Sequence, residues 1–264
     1  MTWANFPYFV ILCCGLWLAG ILLLIPKKNF TVKLSIALII AGILSLAIFI
    51  AGLWMSLERP VFRTLGETRL WYSMFLSVIS LVIYFMWKFK WVLVYCLFMA
   101  MLFLFLNYLN PENFDKTLMP ALQSPWFIPH VVVYMISYAF MAAASLAGIK
   151  GLYLAYKSKP VENTLQLADN IAYIGFAFLT LGLLFGALWA KVAWGSYWTW
   201  DPKETWALLT WLVYLLYIHF RVNKNQQVKL ALWILAVSFF VLLICWFGIN
   251  YLPSAQSSVH VYGS

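Results

Sequence analysis

Long apolar runs alternate with short polar stretches from one end of this chain to the other. Eight runs stand out, at roughly 6–25, 34–54, 70–87, 91–109, 127–149, 171–190, 203–220 and 230–249. About 20 apolar residues suffice to cross the hydrocarbon core of a bilayer as a helix. Inside hydrocarbon every backbone N–H and C=O must be paired within the segment, and a helix does this by itself. The expected fold class is therefore all-α: a polytopic integral membrane helical bundle of about eight transmembrane helices. No internal repeat, low-complexity tail or soluble domain is visible. The first run does not read as a cleavable signal, because its basic residues, Lys27 and Lys28, follow it.

Composition agrees with the pattern. Of 264 residues, 65% are hydrophobic and only 9% charged, against about 25% charged in a soluble domain. The charges that remain are placed unevenly. One set of loops holds Lys27, Lys28, Lys33, Lys88, Lys90, Lys150, Lys157, Lys159, Arg221, Lys224 and Lys229, eleven in all. The opposite set holds six: Arg59, Arg63, Arg69, Lys116, Lys191 and Lys203. The positive-inside rule puts the richer set in the cytoplasm. Both termini and the loop before the seventh run are then extracytoplasmic. The net charge of +9 is an orientation signal, and no nucleic-acid role is read into it. Cys13, Cys14, Cys96 and Cys245 all lie in apolar runs without metal-ligand spacing and read as small buried hydrophobes.

The loop before the seventh run changes the picture. In "WAKVAWGSYWTWDPKETWALLTW", Trp189, Trp194, Tyr197, Trp198, Trp200 and Trp206 fall within eighteen residues. An interfacial aromatic belt needs one or two rings per helix end. This many rigid, amphipathic rings suits a large planar apolar ligand: a tetrapyrrole, a quinone or a lipid. Alternate loop residues are expected to present Tyr197, Trp198 and Trp200 as a row. The loop then reads Asp201-Pro202-Lys203-Glu204. An N-cap aspartate, a first-turn proline and a glutamate three residues after the cap make a capping-box-like start, so the seventh helix should begin at Pro202. Capping is a sufficient role for both acids.

Three histidines bear on the ligand. His130 lies at the outer end of the fifth run and His260 in the outer C-terminal tail. The topology puts both on the face of the Trp-rich loop. Two imidazoles can hold a haem iron from both sides, whereas a quinone or lipid site does not need them. His219 lies 17 residues after Pro202, about 26 Å along a helix, near the cytoplasmic end. From the residues alone it reads as an interfacial or snorkelling side chain.

"WGSYWTWDPKETWALLTW" resembles the tryptophan-rich WWD motif of the haem-handling family that serves cytochrome c maturation. Its continuation, "DPKETWALLTWLVYLLYIHFR", is similar to the CcsA (ResC) branch used in System II. The resemblance runs over about residues 120–264 and includes "SPWFIPHVVVYMISYAF", "NIAYIGFAFLTLGLLFGALWAKVAWG" and the final "SVHVYG". The helices of residues 1–119 match less well, and the whole of 1–264 is taken as one transmembrane haem-handling domain. The resemblance implies that His130 and His260 are axial ligands of haem b. It implies that Trp194, Gly195, Tyr197, Trp198, Trp200 and Asp201 belong to the haem-presenting loop. It also implies that His219 belongs to a haem-admitting site shared with a CcsB (ResB)-type membrane subunit, against the bland reading. No ResB-like domain is visible, so the chain is read as the CcsA half of a split holocytochrome c synthase complex. Glu67 matches an acid of the family's loop without an assigned role. Arg59, Arg63, Arg69 and Lys203 are the basic residues able to meet haem propionates.

The implied function is to bind haem on the extracytoplasmic face for thioether attachment to the CxxCH motif of apocytochrome c, with haem exported through the complex. The implied setting is the bacterial cytoplasmic membrane, with the thylakoid membrane as the other possibility. Two alternatives stand beside this: a haem chaperone that passes haem on without attachment, and a quinone- or lipid-binding subunit with a structural Trp belt.

Overall fold

The computed structural model describes residues 1–26, 28–114, 124–222 and 227–251, with Asn250 by its backbone alone. Eight α-helices are present among them: α1 (Phe6–Leu23), α2 (Asn29–Leu57), α3 (Leu65–Trp87), α4 (Lys90–Leu109), α5 (Phe127–Tyr156), α6 (Glu162–Trp194), α7 (Pro202–Val222) and α8 (Val228–Trp246). All eight are long and apolar enough to cross a membrane, and no strand occurs among the described residues. The eight apolar runs and the eight helices coincide. The largest disagreement is in length. The α6 helix has 33 residues, or about 50 Å at 1.5 Å per residue, well beyond the roughly 30 Å of hydrocarbon. Its first turns, "ENTLQLADN", are polar and lie outside the apolar window, because hydropathy marks the edge of the hydrocarbon and not the end of the helix.

The helices pack as two compact units, Met1–Thr117 and Leu118–Gly263. In the first, α1 lies along α2 and α3 along α4. Close approach is made by small residues, as expected where lipid removes most of the hydrophobic drive between helices. Ser35 Oγ donates to the Gly20 carbonyl at 2.6 Å, and the Trp17 indole lies directly over Gly42 while donating to Ile39 O at 3.2 Å. The turn into α3 is held by a capping box. Thr64 Oγ1 accepts from Glu67 N at 3.1 Å, and Glu67 Oε2 accepts from Thr64 N at 3.2 Å. The Glu67 carboxylate is fully buried and takes a two-pronged contact from Arg59, at 2.8 and 3.1 Å. That contact explains both residues: Arg59 neutralises a buried capping acid and is not held out for a ligand.

The second unit is built on α5. It packs most extensively against α6, and α8 covers another of its sides. Gly148 and Gly151 let α8 come close: a Cβ on Gly148 would stand 3.3 Å from Leu232 O. Ser145 Oγ donates across the same seam to Ala236 O at 3.1 Å. On the α6 side, Ser137 Oγ donates to Gly175 O at 2.8 Å. The α7 helix leans on α8 and touches α6 at two places. Trp211 Nε1 donates to Thr180 Oγ1 at 2.9 Å. Near the helix end, Arg221 grips Asp169 through both oxygens at 2.8–3.2 Å while the Tyr217 hydroxyl donates to the same carboxylate at 2.6 Å.

This packing sets an expectation. A Cβ on Gly175 would sit 3.0 Å from Phe140 Cβ, whereas one on Gly15 would meet nothing within 4 Å. Gly175→Leu should destabilise the chain by about 1–3 kcal/mol through overpacking, and Gly15→Leu should be close to neutral. Thermal unfolding of the detergent-solubilised protein compares them; equal melting temperatures would remove the α5–α6 seam as a determinant of stability.

Candidate functional site

The Trp-rich segment begins where α6 has to stop. Gly195 follows the last helical residue with φ at +80°, a left-handed C-cap that suits glycine, and its N–H donates to Lys191 O at 3.1 Å. Lys191 then turns back on the loop. Its Nζ donates to Gly195 O at 2.7 Å and lies 5.4 Å over the Tyr197 ring. This lysine, counted above only for its charge, closes the helix end.

The loop re-enters a helix at Pro202, as the Asp-Pro-x-Glu spacing predicts. Asp201 Oδ1 accepts from Lys203 N at 2.9 Å, and Asp201 O accepts the first helical bond from Thr205 N at 2.9 Å. Glu204 reaches further than a simple box. Its Oε2 accepts from Asp201 N at 3.2 Å, from Thr199 N at 2.7 Å and from Thr199 Oγ1 at 3.3 Å. Both acids are buried, at 6% and 8% exposure. A buried carboxylate at a helix N-terminus is favoured by the helix dipole and by charge-assisted bonds. Glu204 thus anchors the part of the loop that carries the rings.

Those rings do not form the expected row. Trp198 and Trp200 meet edge to face, centroids 5.9 Å apart and planes at 84°. The reason is backbone: Trp200 is left-handed, with φ at +61°, a conformation that costs a non-glycine residue about 1–2 kcal/mol. It turns Trp200 outward, 68% exposed, with Tyr197 also exposed at 56%. Trp198 is half-buried, and its Nε1 has no hydrogen-bond partner among the described residues. Strain of this kind tends to collect in functional loops.

His130 lies in the first turn of α5, half-buried, at the same end of the unit. Its ring stacks on Trp189 at 5.4 Å and 27°, and Trp189 meets Trp194 edge to face at 4.9 Å. Tyr134 closes the other side at 4.6 Å. His130 Nδ1 lies 2.9 Å from Gly182 O. A carbonyl carries no proton, so Nδ1 is the donor and the lone pair of the neutral ring sits on Nε2. Metal-binding imidazoles are usually oriented in this way, the second nitrogen donating to a carbonyl or carboxylate.

The other two histidines are placed differently. His219 is on an exposed stripe of α7 with Leu209, Leu212, Leu216 and Val222, turned away from buried Tyr214 and Tyr217. It lies toward the end of α7 far from the Trp-rich loop. His260 lies outside the described residues. The last described residue, Tyr251, follows α8, whose Cys245 Sγ lies 3.9 Å from Lys203 O. The chain therefore leaves the described region at the loop end of the unit. Sequence reasoning missed Gly182, Gly186 and Glu67's capping role. The signals were there: "GLLFG" is a small-x-x-x-small pattern and "TLGE" a capping box.

Capping generates a test. Glu204→Ala strands the N–H groups of Thr199 and Asp201 and should cost about 1–3 kcal/mol. Asp201→Asn keeps a good N-cap and should cost under about 0.5 kcal/mol. Unfolding temperatures of the purified variants check the order, and a larger loss for Asp201→Asn would show that its charge does more than cap.

With this geometry in view, known proteins fall into place around the chain. Residues 62–255 match the family described as Cytochrome C assembly protein. A cytochrome c biogenesis protein CcsA of Chlamydomonas reinhardtii is 45% identical over 154 residues, covering 55% of this chain and 43% of that protein. The CcsA of Cyanophora paradoxa is 35% identical over 219 residues, covering 63% of this chain and 67% of its own length. The CcsA of Solanum tuberosum is 38% identical over 184 residues, with 56% and 58% covered. The matched part of the chain thus spans between 43% and 67% of the length of these relatives. Among solved structures, a chain titled Cytochrome c Heme Lyase CcmF superposes with a TM-score of 0.74 at 16% identity, over 94% of this chain and 47% of that one. That likeness speaks for the fold. On the family match and the identity to its relatives, the chain belongs to the cytochrome c assembly protein family, as a CcsA-type member.

Proposed function

We propose that the chain is the haem-presenting subunit of a System II cytochrome c synthase. The observation that carries this reading is the setting of His130. Its Nδ1–H is held by a backbone carbonyl, its ring lies against Trp189, and Trp189 leads through Trp194 into the Trp-rich loop. Such an imidazole is oriented for metal ligation. In the proposal His130 Nε2 and an imidazole of His260 bind the iron of haem b, the substrate. Trp194, Gly195, Tyr197, Trp198, Trp200 and Asp201 form or hold the surface beside it. The Trp198 N–H, buried and without a hydrogen-bond partner among the described residues, supports this, since such a donor gains when a ligand supplies an acceptor.

Apocytochrome c would present its CxxCH segment at this face. The two thiols add across the haem vinyl groups, and the substrate's own histidine displaces one of the chain's imidazoles. The bond-forming groups belong to haem and substrate. The chain's own residues bind, orient and shield, which is where most of its contribution to rate would lie. His219 is proposed to help admit haem on the opposite face, jointly with a CcsB (ResB)-type partner. Its place on an exposed apolar stripe of α7 suits a site completed by a second membrane protein. By the loop charges, the Trp-rich loop faces outward from the bacterial cytoplasmic membrane, or occupies the corresponding face of the thylakoid membrane.

Three expected outcomes test this. His130→Ala or His260→Ala should lose haem attachment, with partial recovery when imidazole fills the vacant iron position. Unchanged holocytochrome c in both variants would remove them as ligands. Trp198→Ala should lower bound haem per chain, read from the Soret band, while Trp198→Phe stays mild; loss of the chain itself would make the rings structural. For orientation, Ser196 in the Trp-rich loop and Ser158 between α5 and α6 are both exposed. A cysteine at 196 should react with an impermeant maleimide in intact cells, and one at 158 only after lysis. The reverse pattern would turn the chain over.

A further inference from the structure

The stripe of α6 that faces α5 carries glycine at 182 and again one turn later at 186. Both touch His130, in different ways. Gly182 supplies the carbonyl that receives Nδ1–H at 2.9 Å. Gly186 supplies empty space. A Cβ built there would stand 2.7 Å from His130 Cε1 and 2.9 Å from Nδ1, well inside van der Waals contact. Two rings limit where the imidazole can retreat. Trp189 lies against it at 5.4 Å and Tyr134 at 4.6 Å, and Tyr134 is itself pressed onto Gly182, where a Cβ would meet its ring at 2.7 Å. A single methyl group at 186 therefore requires the imidazole to shift, and the edge it crowds is the one that carries the bond to the Gly182 carbonyl.

We propose that Gly186 is a positioning residue for His130: its missing side chain lets the Nδ1–Cε1 edge of the imidazole lie against α6 with Nδ1 bonded to Gly182 O, which leaves Nε2 as the nitrogen that would meet a metal. This rests on the reading of His130 as a haem ligand and extends it to the helix that aims the ligand. Partners that orient a metal-binding imidazole typically matter by about 10- to 100-fold in affinity or activity. Glycine is otherwise a poor helix former and alanine a good one, so the backbone of α6 gives no reason for alanine to be harmful at 186.

The experiment uses the full-length chain expressed with its partner subunit and an apocytochrome c. It compares Gly186→Ala, His130→Ala, the double variant and Gly175→Ala. The last crowds the same pair of helices, its Cβ 3.0 Å from Phe140 Cβ, without touching His130. Three quantities are read: chain in the membrane, axial-ligand signature of the bound haem, and thioether product with and without imidazole. Gly186→Ala should keep its level in the membrane and lose product by about 10- to 100-fold, with partial recovery on adding imidazole. Gly175→Ala should show no imidazole-dependent change. With imidazole present, His130→Ala and the double variant should match, because the methyl then has no ring to displace.

Wild-type product from Gly186→Ala, or a loss that imidazole does not touch, overturns the proposal while leaving His130 as a ligand. A double variant clearly worse than His130→Ala in imidazole does the same. If Gly186→Ala fails to accumulate, the double variant decides. Recovery of the chain on removing the ring supports the clash, and continued absence means that Gly186 serves other packing. A His130→Ala chain that attaches haem normally without imidazole sinks the ligand reading, and this proposal with it.

Discussion

Where α6 passes α5, glycine stands at 175, 182 and 186, and side chains of one helix reach the backbone of the other with no Cβ between them. Ser137 reaches the Gly175 carbonyl, Tyr134 lies on Gly182, and His130 lies on Gly186 while bonding to Gly182 O. In lipid, van der Waals contact and interhelical hydrogen bonds must do most of the work that burial does in water, each bond contributing about 0.6 kcal/mol on average. The same close approach that holds the two helices together therefore sets the plane and proton position of the histidine. Stability and site geometry in this unit share one cause, with Gly175 packing on Phe140 and Met141 and Gly186 on His130.

The second determinant is how loops are fastened to helix starts. Each unit uses a buried glutamate at the third helical position, Glu67 in α3 and Glu204 in α7, to collect N–H groups from the preceding loop. They differ in how the charge is met. Arg59 neutralises Glu67 with two hydrogen bonds, while Glu204 accepts from backbone N–H groups and the Thr199 hydroxyl. The Trp-rich loop is thus fixed at both ends, by Glu204 at α7 and by Lys191 closing α6. Between these points the strained Trp200 backbone turns one ring outward and leaves Trp198 partly inside.

The far end of the unit is built from charge. Asp169 accepts from both Arg221 and Tyr217, tying α6 to α7 close to where His219 lies on the opposite side of α7. Asp169 belongs to the polar first turns of α6 and Arg221 to the last turn of α7, so the pair ties the two helices at the edge of the spans rather than inside the apolar window. Here the carboxylate takes donors from two residues on one face of α7. That leaves the outward stripe from Leu209 onward apolar except for His219.

Much of this was legible in the residues. Eight apolar runs gave eight helices because helix formation in hydrocarbon follows from local backbone pairing, and that needs only length and polarity. The start of α7 at Pro202 followed from Asp201, Pro202 and Glu204, because a cap is a contact within a few residues. The tryptophan motif pointed to the family for the same reason: its signal is contiguous. Helix ends such as the polar start of α6 were not legible, since hydropathy reports the bilayer and not the hydrogen-bond ladder. Nor was the setting of His130, which depends on residues more than fifty positions away. That Gly182 receives its proton, that Gly186 leaves room for its ring, and that Trp198 and Trp200 stand perpendicular are decided by how helices and loop meet in space. Contacts of that range leave no period or spacing in a single chain, so only the tertiary structure determines them.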